Sequence, residues 1–387
     1  MNTRAVAGSA ARGPSITRSL VATVTTFGRE DVAPSIAPWV VGRAIVLTGL
    51  ALARYLFDHV GSGARPVALR QGLFAWDASF YESIARFGYG SVGRAGLRFF
   101  PLFPIASRGF GTVFLGRADI AMIVLVNACA LVFMGCLHRL VREETGDVRL
   151  ARRSVWFSAL LPPAICLVIG YAEALLLLFA VSAFLAMRAR RWEWVAVFGL
   201  LAGLCRPVGL LLALPVAIEV VLTWRVTPVR RRIGAVAAGV SPVVGVGIFL
   251  AWVGATRGDA LLPLRVQQNP TLRGGFEDPI SALVDAAHRS VGGVLHVVWA
   301  VIFIVLLVAI ARRLPVTYTA YAAAALAVGL TAHNLDSFER YGLSTFPFII
   351  GAALVTERRE LANIALTLSA AALLGYSTLV FLGLSVP

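Results

Sequence analysis

Lysine is absent from this chain: all 35 basic residues are arginine, set against 20 acidic ones. That choice reflects a GC-rich coding bias more than a mechanism. Charge of either sign is scarce. Only 14% of the residues are charged and 58% are hydrophobic, whereas soluble domains carry about 25% charged residues. The shortage excludes an ordinary soluble protein, and a mean hydropathy of +0.81 points to an integral membrane protein. Cysteine is scarce too. Cys129, Cys136, Cys166 and Cys205 fall in or beside apolar stretches with no CxxC spacing, so neither a disulfide framework nor a zinc site is indicated. No internal repeat is evident, which leaves an inverted-repeat transporter without support. The net charge of +15 does not point to nucleic acid. The arginines sit in short runs between apolar spans, the pattern that orients membrane proteins.

What the chain has in quantity is apolar spans. Residues 1–37 are polar and arginine-bearing and read as a mobile cytoplasmic arm. The first span covers about 39–57. Ala51-Leu-Ala53 near its end fits a signal-peptidase site, but the many spans that follow suit an uncleaved signal anchor. Arg43 and Arg54 lie on this span about three turns apart, placed to snorkel at its two ends. Residues 58–117 are too long and too polar for a simple hairpin. Further spans follow at about 118–138, 154–170, 171–187, 194–205, 207–223, 233–254, 292–311, 316–332, 342–356 and 361–384. Arginine runs at 139–153, 188–191, 225–232, 312–313 and 358–359 separate them. If every run is cytoplasmic, adjacent runs are separated by an even number of crossings. The expectation is an all-α polytopic membrane protein of about eleven transmembrane helices. It has a cytoplasmic arm (1–37), one membrane domain (38–387) and a C terminus outside, in the plasma membrane. The arginines within 65–117 then fall outside, which the rule tolerates in a long loop. Several spans are shorter than the roughly 20 residues of a crossing, so 154–187 and 194–223 also admit one long helix plus a re-entrant piece.

The stretch from 76 to 104, WDASFYESIARFGYGSVGRAGLRFFPLFP, is the most informative. Asp77 or Ser79 can cap a short helix, and Ser79 with Glu82 has capping-box spacing. Trp76, Phe80, Ile84 and Phe87 then share one face, and Gly88 ends the helix. The expected element is an amphipathic interfacial helix in the first extracytoplasmic loop. The spacing leaves two roles open for Asp77: helix cap or functional carboxylate. The same side of the membrane receives Glu173, Arg206, a polar loop at 255–290 with Arg265 and Arg273, and the segment AHNLDSFERY (332–341). Carboxylates and arginines gathered there suit an anionic substrate and a hydroxyl that must lose a proton. The alternative is a set of solvated loop ends with Glu173 and Arg206 in structural ion pairs, but charges beside apolar spans, as at these two residues, are expensive and usually functional.

WDASFYESIARFGYG followed by FFPLFP resembles the signature of the PIG-V-type mannosyltransferases, in the GT-C superfamily of membrane glycosyltransferases. GYAEALLLLFA (170–180), GLLAGLCRPVGLLLALP (199–215) and SFERYGLSTFPFIIGAA (337–353) are similar to further family segments in the same order. Pro207-Val208 departs from the Ser-Asn or Thr-Asn commoner there, which leaves the acceptor open. The resemblance implies a GT-C-like fold. It implies a polyprenyl-phosphate-mannose donor, and transfer with inversion to an acceptor hydroxyl outside the cytoplasm. Asp77 matches the acidic residue that such enzymes place in the first external loop.

On that basis Asp77 is the first candidate base, with Glu82 and Glu173 behind it. A sugar alcohol is a poor nucleophile, and a carboxylate within hydrogen-bond reach takes its proton during attack. Arg206 and Arg340 are the candidates to hold the lipid phosphate, with Arg98 or Arg265 as substitutes. Trp76 and Tyr341 would pack on sugar or lipid. No cofactor is expected, and a metal at His333, Asp336 and Glu339 is disfavoured because their spacing drifts around a helix. The expected partners are the lipid-linked donor, a lipid or glycan acceptor and membrane lipids. Two alternatives stand beside this: a related enzyme using another polyprenyl-phosphate sugar, and a lipid or polysaccharide transporter without chemistry.

Overall fold

A computed structural model of the chain describes residues 28–270, 272–289 and 291–387. Among these the secondary structure is helical throughout, and the one β-pairing is an isolated antiparallel bridge between Phe276 and Ala332. In chain order the α-helices are α1 (Arg29–Val60), α2 (Val67–Gln71), α3 (Asp77–Phe87), α4 (Leu102–Gly111), α5 (Ala118–Thr145), α6 (Val148–Leu160), α7 (Glu173–Arg188), α8 (Trp192–Cys205), α9 (Ala213–Thr223), α10 (Val229–Arg257), α11 (Leu262–Gln267), α12 (Pro279–Arg289), α13 (Val291–Arg313), α14 (Val316–Leu330), α15 (Phe338–Leu343), α16 (Phe346–Val355) and α17 (Arg359–Phe381). Among the described residues five stretches are long and apolar enough to cross a membrane: Glu30–Val60, Ala118–Thr145, Val229–Arg257, Gly292–Arg313 and Arg359–Phe381. Rows of exposed apolar side chains run along α10 (Val236, Val240, Val244, Ile248) and α13 (Val294, Val298, Val301, Val305). A water-facing surface does not carry such rows; a lipid-facing one does.

Helix α1 starts well before the expected span and passes through Pro34 and Pro38. The polar arm therefore does not extend to residue 37; residues 1–27 lie outside the described part. Tertiary pairing overrides the two prolines. Asp31 is buried and binds Arg142 of α5 at 3.0 Å, and Glu30 meets the same arginine at 3.4 Å. Arg43 is also not where its spacing suggested. It is buried, donating to Asn127 Oδ1 at 2.9 Å and to the Leu167 carbonyl at 2.7 Å. Arg54, by contrast, is exposed.

The short apolar spans are helices broken on purpose. Pro162 and Pro163 lack the N–H that would continue α6, so the chain runs on as a 3-10 helix (Pro162–Leu167) and reaches α7 through Gly170-Tyr171-Ala172. Arg206-Pro207 ends α8 in the same way, and a 3-10 helix (Pro207–Leu212) leads into α9. Irregular backbone buried in the protein needs internal partners. The Gly170 N–H donates to the Leu73 carbonyl at 3.0 Å, the Arg43 guanidinium takes the Leu167 carbonyl, and Asn127 Nδ2 takes the Val168 carbonyl at 3.1 Å.

Glycine sets the closest helix pair. A Cβ on Gly203 of α8 would lie 2.3 Å from the Pro242 carbonyl oxygen of α10, and one on Gly245 would lie 2.3 Å from the Leu200 carbonyl oxygen. Gly199 and Gly203 face Ser241 and Gly245 with small-xxx-small spacing on both sides, the arrangement that lets helices approach closely in lipid.

The arginine-bearing turns gather at one end of the bundle. Arg188 binds Glu144 (2.9 Å) and Glu219 (3.1 Å), while Arg153 and Arg313 both reach residue Glu357. At the turn between α5 and α6, Gly146 takes a left-handed conformation (φ 70°) and the Asp147 carboxylate caps α6 through the N–H groups of Arg149 and Leu150.

Candidate active site

The opposite end holds α3, whose details differ from the expected capping. Asp77 is the first helical residue; the residue before it, Trp76, is the N-cap and makes no side-chain cap bond. The Ser79 hydroxyl donates to the Trp76 carbonyl at 2.7 Å, and no capping box forms with Glu82. Gly88 does end the helix, with φ 81°. The buried face is Ala78, Tyr81, Ile84 and Ala85, whereas Phe87 is 66% exposed. α3 packs on α4 and α5, so its inner face follows tertiary contact and not the aromatic row at 76, 80, 84 and 87.

Trp76 holds φ 59° and ψ −128°, a region that costs a non-glycine residue of order 1–3 kcal/mol. Its indole N–H donates to the Val380 carbonyl at 3.0 Å, tying the start of α3 to the end of α17. Ser337, immediately before α15, is likewise left-handed at φ 64°. The two strained residues precede the helices that deliver Asp77 and Arg340.

Those two side chains meet. Arg340 Nη1 lies 2.8 Å from Asp77 Oδ2, and Arg98 Nη2 lies 3.2 Å from Asp77 Oδ1. Glu173, at the start of α7 and almost fully buried, pairs with Arg206 and sits 3.5 Å from Arg340 Nε. Arg98, Asp77, Arg340, Glu173 and Arg206 therefore form one alternating chain of charge. Aromatic faces line it: Arg98 lies over Phe99 (4.7 Å), Arg340 over Tyr171 (5.2 Å), and Arg273 over Tyr341 (4.4 Å). The Asp77 N–H donates to the Tyr171 hydroxyl at 3.3 Å.

A cavity of about 490 Å3 opens onto this chain, lined by Trp76, Asp77, Tyr81, Arg98, Tyr171, Glu173, Arg206, Arg273, Asp336, Arg340 and Tyr341 among others. Among the described residues four arginines face three carboxylates there, a formal excess of one positive charge. Asp336 stands at the edge with its side chain 59% exposed, so the inner part is more positive still. Burial by itself would raise the Asp77 pKa, but Arg340 and Arg98, with Arg206 behind them, hold it below its ordinary 3.8. The arrangement can bind an anion bidentately through guanidinium forks and presents a carboxylate that is ionised at neutral pH beside it.

Of the residues singled out from sequence, Trp76, Asp77, Arg98, Glu173, Arg206, Arg340 and Tyr341 line this one cavity. Glu82 does not; it pairs with Arg86 one turn on at 2.9 Å. Arg265 is 64% exposed and bound to Asp259. Arg273, Tyr81 and Tyr171 join the site without having been assigned to it. Tyr171 adjoins Glu173 in the same turn, but nothing local marks Arg273 within its long loop. Among the described residues no three of His, Cys, Asp and Glu converge as metal ligands: His333 pairs with Glu277 at 2.6 Å, and Glu339 with His296 at 2.7 Å. Comparison with protein-family models and with curated proteins finds no match to this chain.

Proposed function

We propose that this chain is a membrane mannosyltransferase of GT-C type, moving mannose from polyprenyl-phosphate-mannose to an acceptor hydroxyl outside the cytoplasm. The observation that carries the reading is the Arg98–Asp77–Arg340 clamp joined to Arg206 through Glu173. Asp77, Glu173, Arg206 and Arg340 come from the four stretches on which the family resemblance rests, and Arg98 lies between the two halves of the first. Eleven membrane crossings suit the helix order: α1, α5, α6 with its 3-10 extension, α7, α8, α9 with its 3-10 entry, α10, α13, α14, α15–α16 and α17. In that order every arginine-rich turn falls on one side and the clamp on the other.

The donor phosphate is an alternative partner for the arginines. When it enters, Arg98 and Arg340 turn toward it and release the Asp77 carboxylate. The acceptor oxygen then attacks C1 of the sugar from the face opposite the phosphate, and the C1–O bond to phosphate breaks. Asp77 takes the hydroxyl proton, and the polyprenyl phosphate leaves with its added charge on the arginines. Glu173 is nearly inaccessible and already shared by two guanidiniums, so it positions Arg206 and Arg340.

The deciding experiment is incubation of the purified chain in nanodiscs with polyprenyl-phosphate-[3H]mannose and a mixed lipid extract. Label should become covalently attached to an acceptor. Release of no sugar from this donor, or from its glucose and arabinose counterparts, would overturn the enzyme reading. Movement of intact donor between leaflets under the same conditions would establish the transporter instead.

A further inference from the structure

A second chamber lies behind the arginine cavity. It has a volume of about 300 Å3, and its walls include His296, Trp299, Asp336, Glu339 and Tyr376. It shares Asp336, Ser337 and Val386 with the cavity that holds Asp77. On its other side it shares Pro162, Pro163, Trp299 and Glu339 with an apolar groove of about 350 Å3. That groove runs between α6, α13, α16 and α17, past Phe303, Ile349 and Ala372.

The chemistry of the second chamber is the reverse of the first. Among the described residues no arginine lines it. Glu339 is buried and bonded to His296 Nδ1 at 2.7 Å, and Asp336 Oδ1 stands 4.0 Å from His296 Nε2. Two carboxylates repel a phosphate headgroup, whereas carboxylates and an imidazole accept and donate hydrogen bonds to hydroxyls. The apolar groove continuing from this chamber matches a hydrocarbon tail.

We propose that this chamber and groove bind the acceptor, an amphiphile whose headgroup presents neutral hydroxyls. The headgroup sits at His296, Glu339 and Asp336, and the tail lies between α13, α16 and α17. The shared wall at Asp336 and Ser337 puts its hydroxyls beside the Asp77 cavity. The arginine cavity keeps the phosphate-bearing donor, whose tail leaves past Leu210, Leu211 and Val328. Opposite charge at the two mouths thus sorts the two lipids. This assignment rests on the transferase reading for the word acceptor, but the binding site itself does not.

The test is photolabelling in nanodiscs with an alkyl mannoside carrying a diazirine in its tail, followed by peptide mapping. Label is expected on α13, α16 and α17. Excess octyl mannoside should compete, and octyl phosphate should not. Ala372→Trp, which fills an exposed part of the groove, should abolish that labelling while the protein stays folded. Asp336→Asn should weaken octyl mannoside competition about ten-fold, the effect of one hydrogen bond to a charged group. Label on α9 and α14, equal competition by octyl phosphate, or labelling unchanged in Ala372→Trp would each overturn the proposal. If the label maps as expected and no mannose is transferred, the hydroxyl-lipid site stands and the transferase reading falls.

Discussion

At the scale of single residues, Asp77 is held differently from a helix cap. Its carboxylate is the common partner of Arg98 and Arg340, so Asp77→Asn removes a charge that two guanidiniums need. A charge-assisted bond lost in a half-buried site costs about 1.5–3 kcal/mol, and the melting temperature of the variant should fall measurably. Turnover should fall much further, by about 10²–10⁴, if the carboxylate is the base. Mannose transfer and thermal unfolding measured on the same nanodisc samples separate the two effects. A variant that loses stability but keeps its rate would make Asp77 a clamp for the arginines and nothing more.

The same clamp has a pH signature. Arg340 and Arg98 overcome burial and depress the Asp77 pKa below 3.8. A depressed carboxylate contributes stability above its unfolded pKa and loses it as pH falls through the lower folded value. Wild-type stability and rate should therefore show no Asp77 limb between pH 5 and 8. Arg98→Gln removes one of the charges that hold the carboxyl down, so its acid limb should begin at higher pH than in wild type. A pH–rate profile in which both proteins share one acid limb would dissociate Arg98 from Asp77.

At the scale of elements, the α8–α10 contact depends on four small residues. Gly203 has no room for a methyl group, since the nearest atom is a backbone carbonyl oxygen that cannot rotate away. Gly203→Val should cost at least the roughly 1–3 kcal/mol of an overpacked core. It should also move Arg206, three residues on, and so lower donor use as well as melting temperature. Gly247→Ala on α10 is the control, because nothing lies within 4 Å of the added Cβ. Equal melting temperatures for the two variants would remove close approach as the reason for glycine at 203. The broken helices follow the same logic: Pro162-Pro163 and Pro207 stop α6 and α8 where Glu173 and Arg206 must face a cavity, not lipid.

At the scale of the whole molecule, the arginine-rich turns share one end and the charge chain occupies the other. Single cysteines at Ser91 and Gln268, in a background without the native four, should react with an impermeant thiol reagent applied to intact cells. Cysteines at Arg149 and Val226 should react only after the membrane is opened. All four positions are exposed on the protein, so protection would report sidedness and not burial. Labelling of Arg149→Cys with protection of Ser91→Cys would invert the orientation and take the extracytoplasmic site with it.

The all-α class of the protein and the positions of the five helices long and apolar enough to cross a membrane were determined by the sequence alone. Hydropathy and charge act locally and additively, and a bilayer reads them segment by segment. The candidate stretches were legible for a related reason: a carboxylate or arginine beside an apolar run is costly wherever the chain later goes. Apart from the pairing of Glu173 with Arg206, partnership was not legible. Arg340 reaches Asp77 across 263 positions, and only the packing of α3, α7 and α15 decides that they meet while Glu82 turns to Arg86. The same holds for Arg43, buried against the Leu167 carbonyl, and for α1, which runs through two prolines because Asp31 finds Arg142. A side chain's neighbours in space depend on every helix at once, and that sum is available only in the folded molecule.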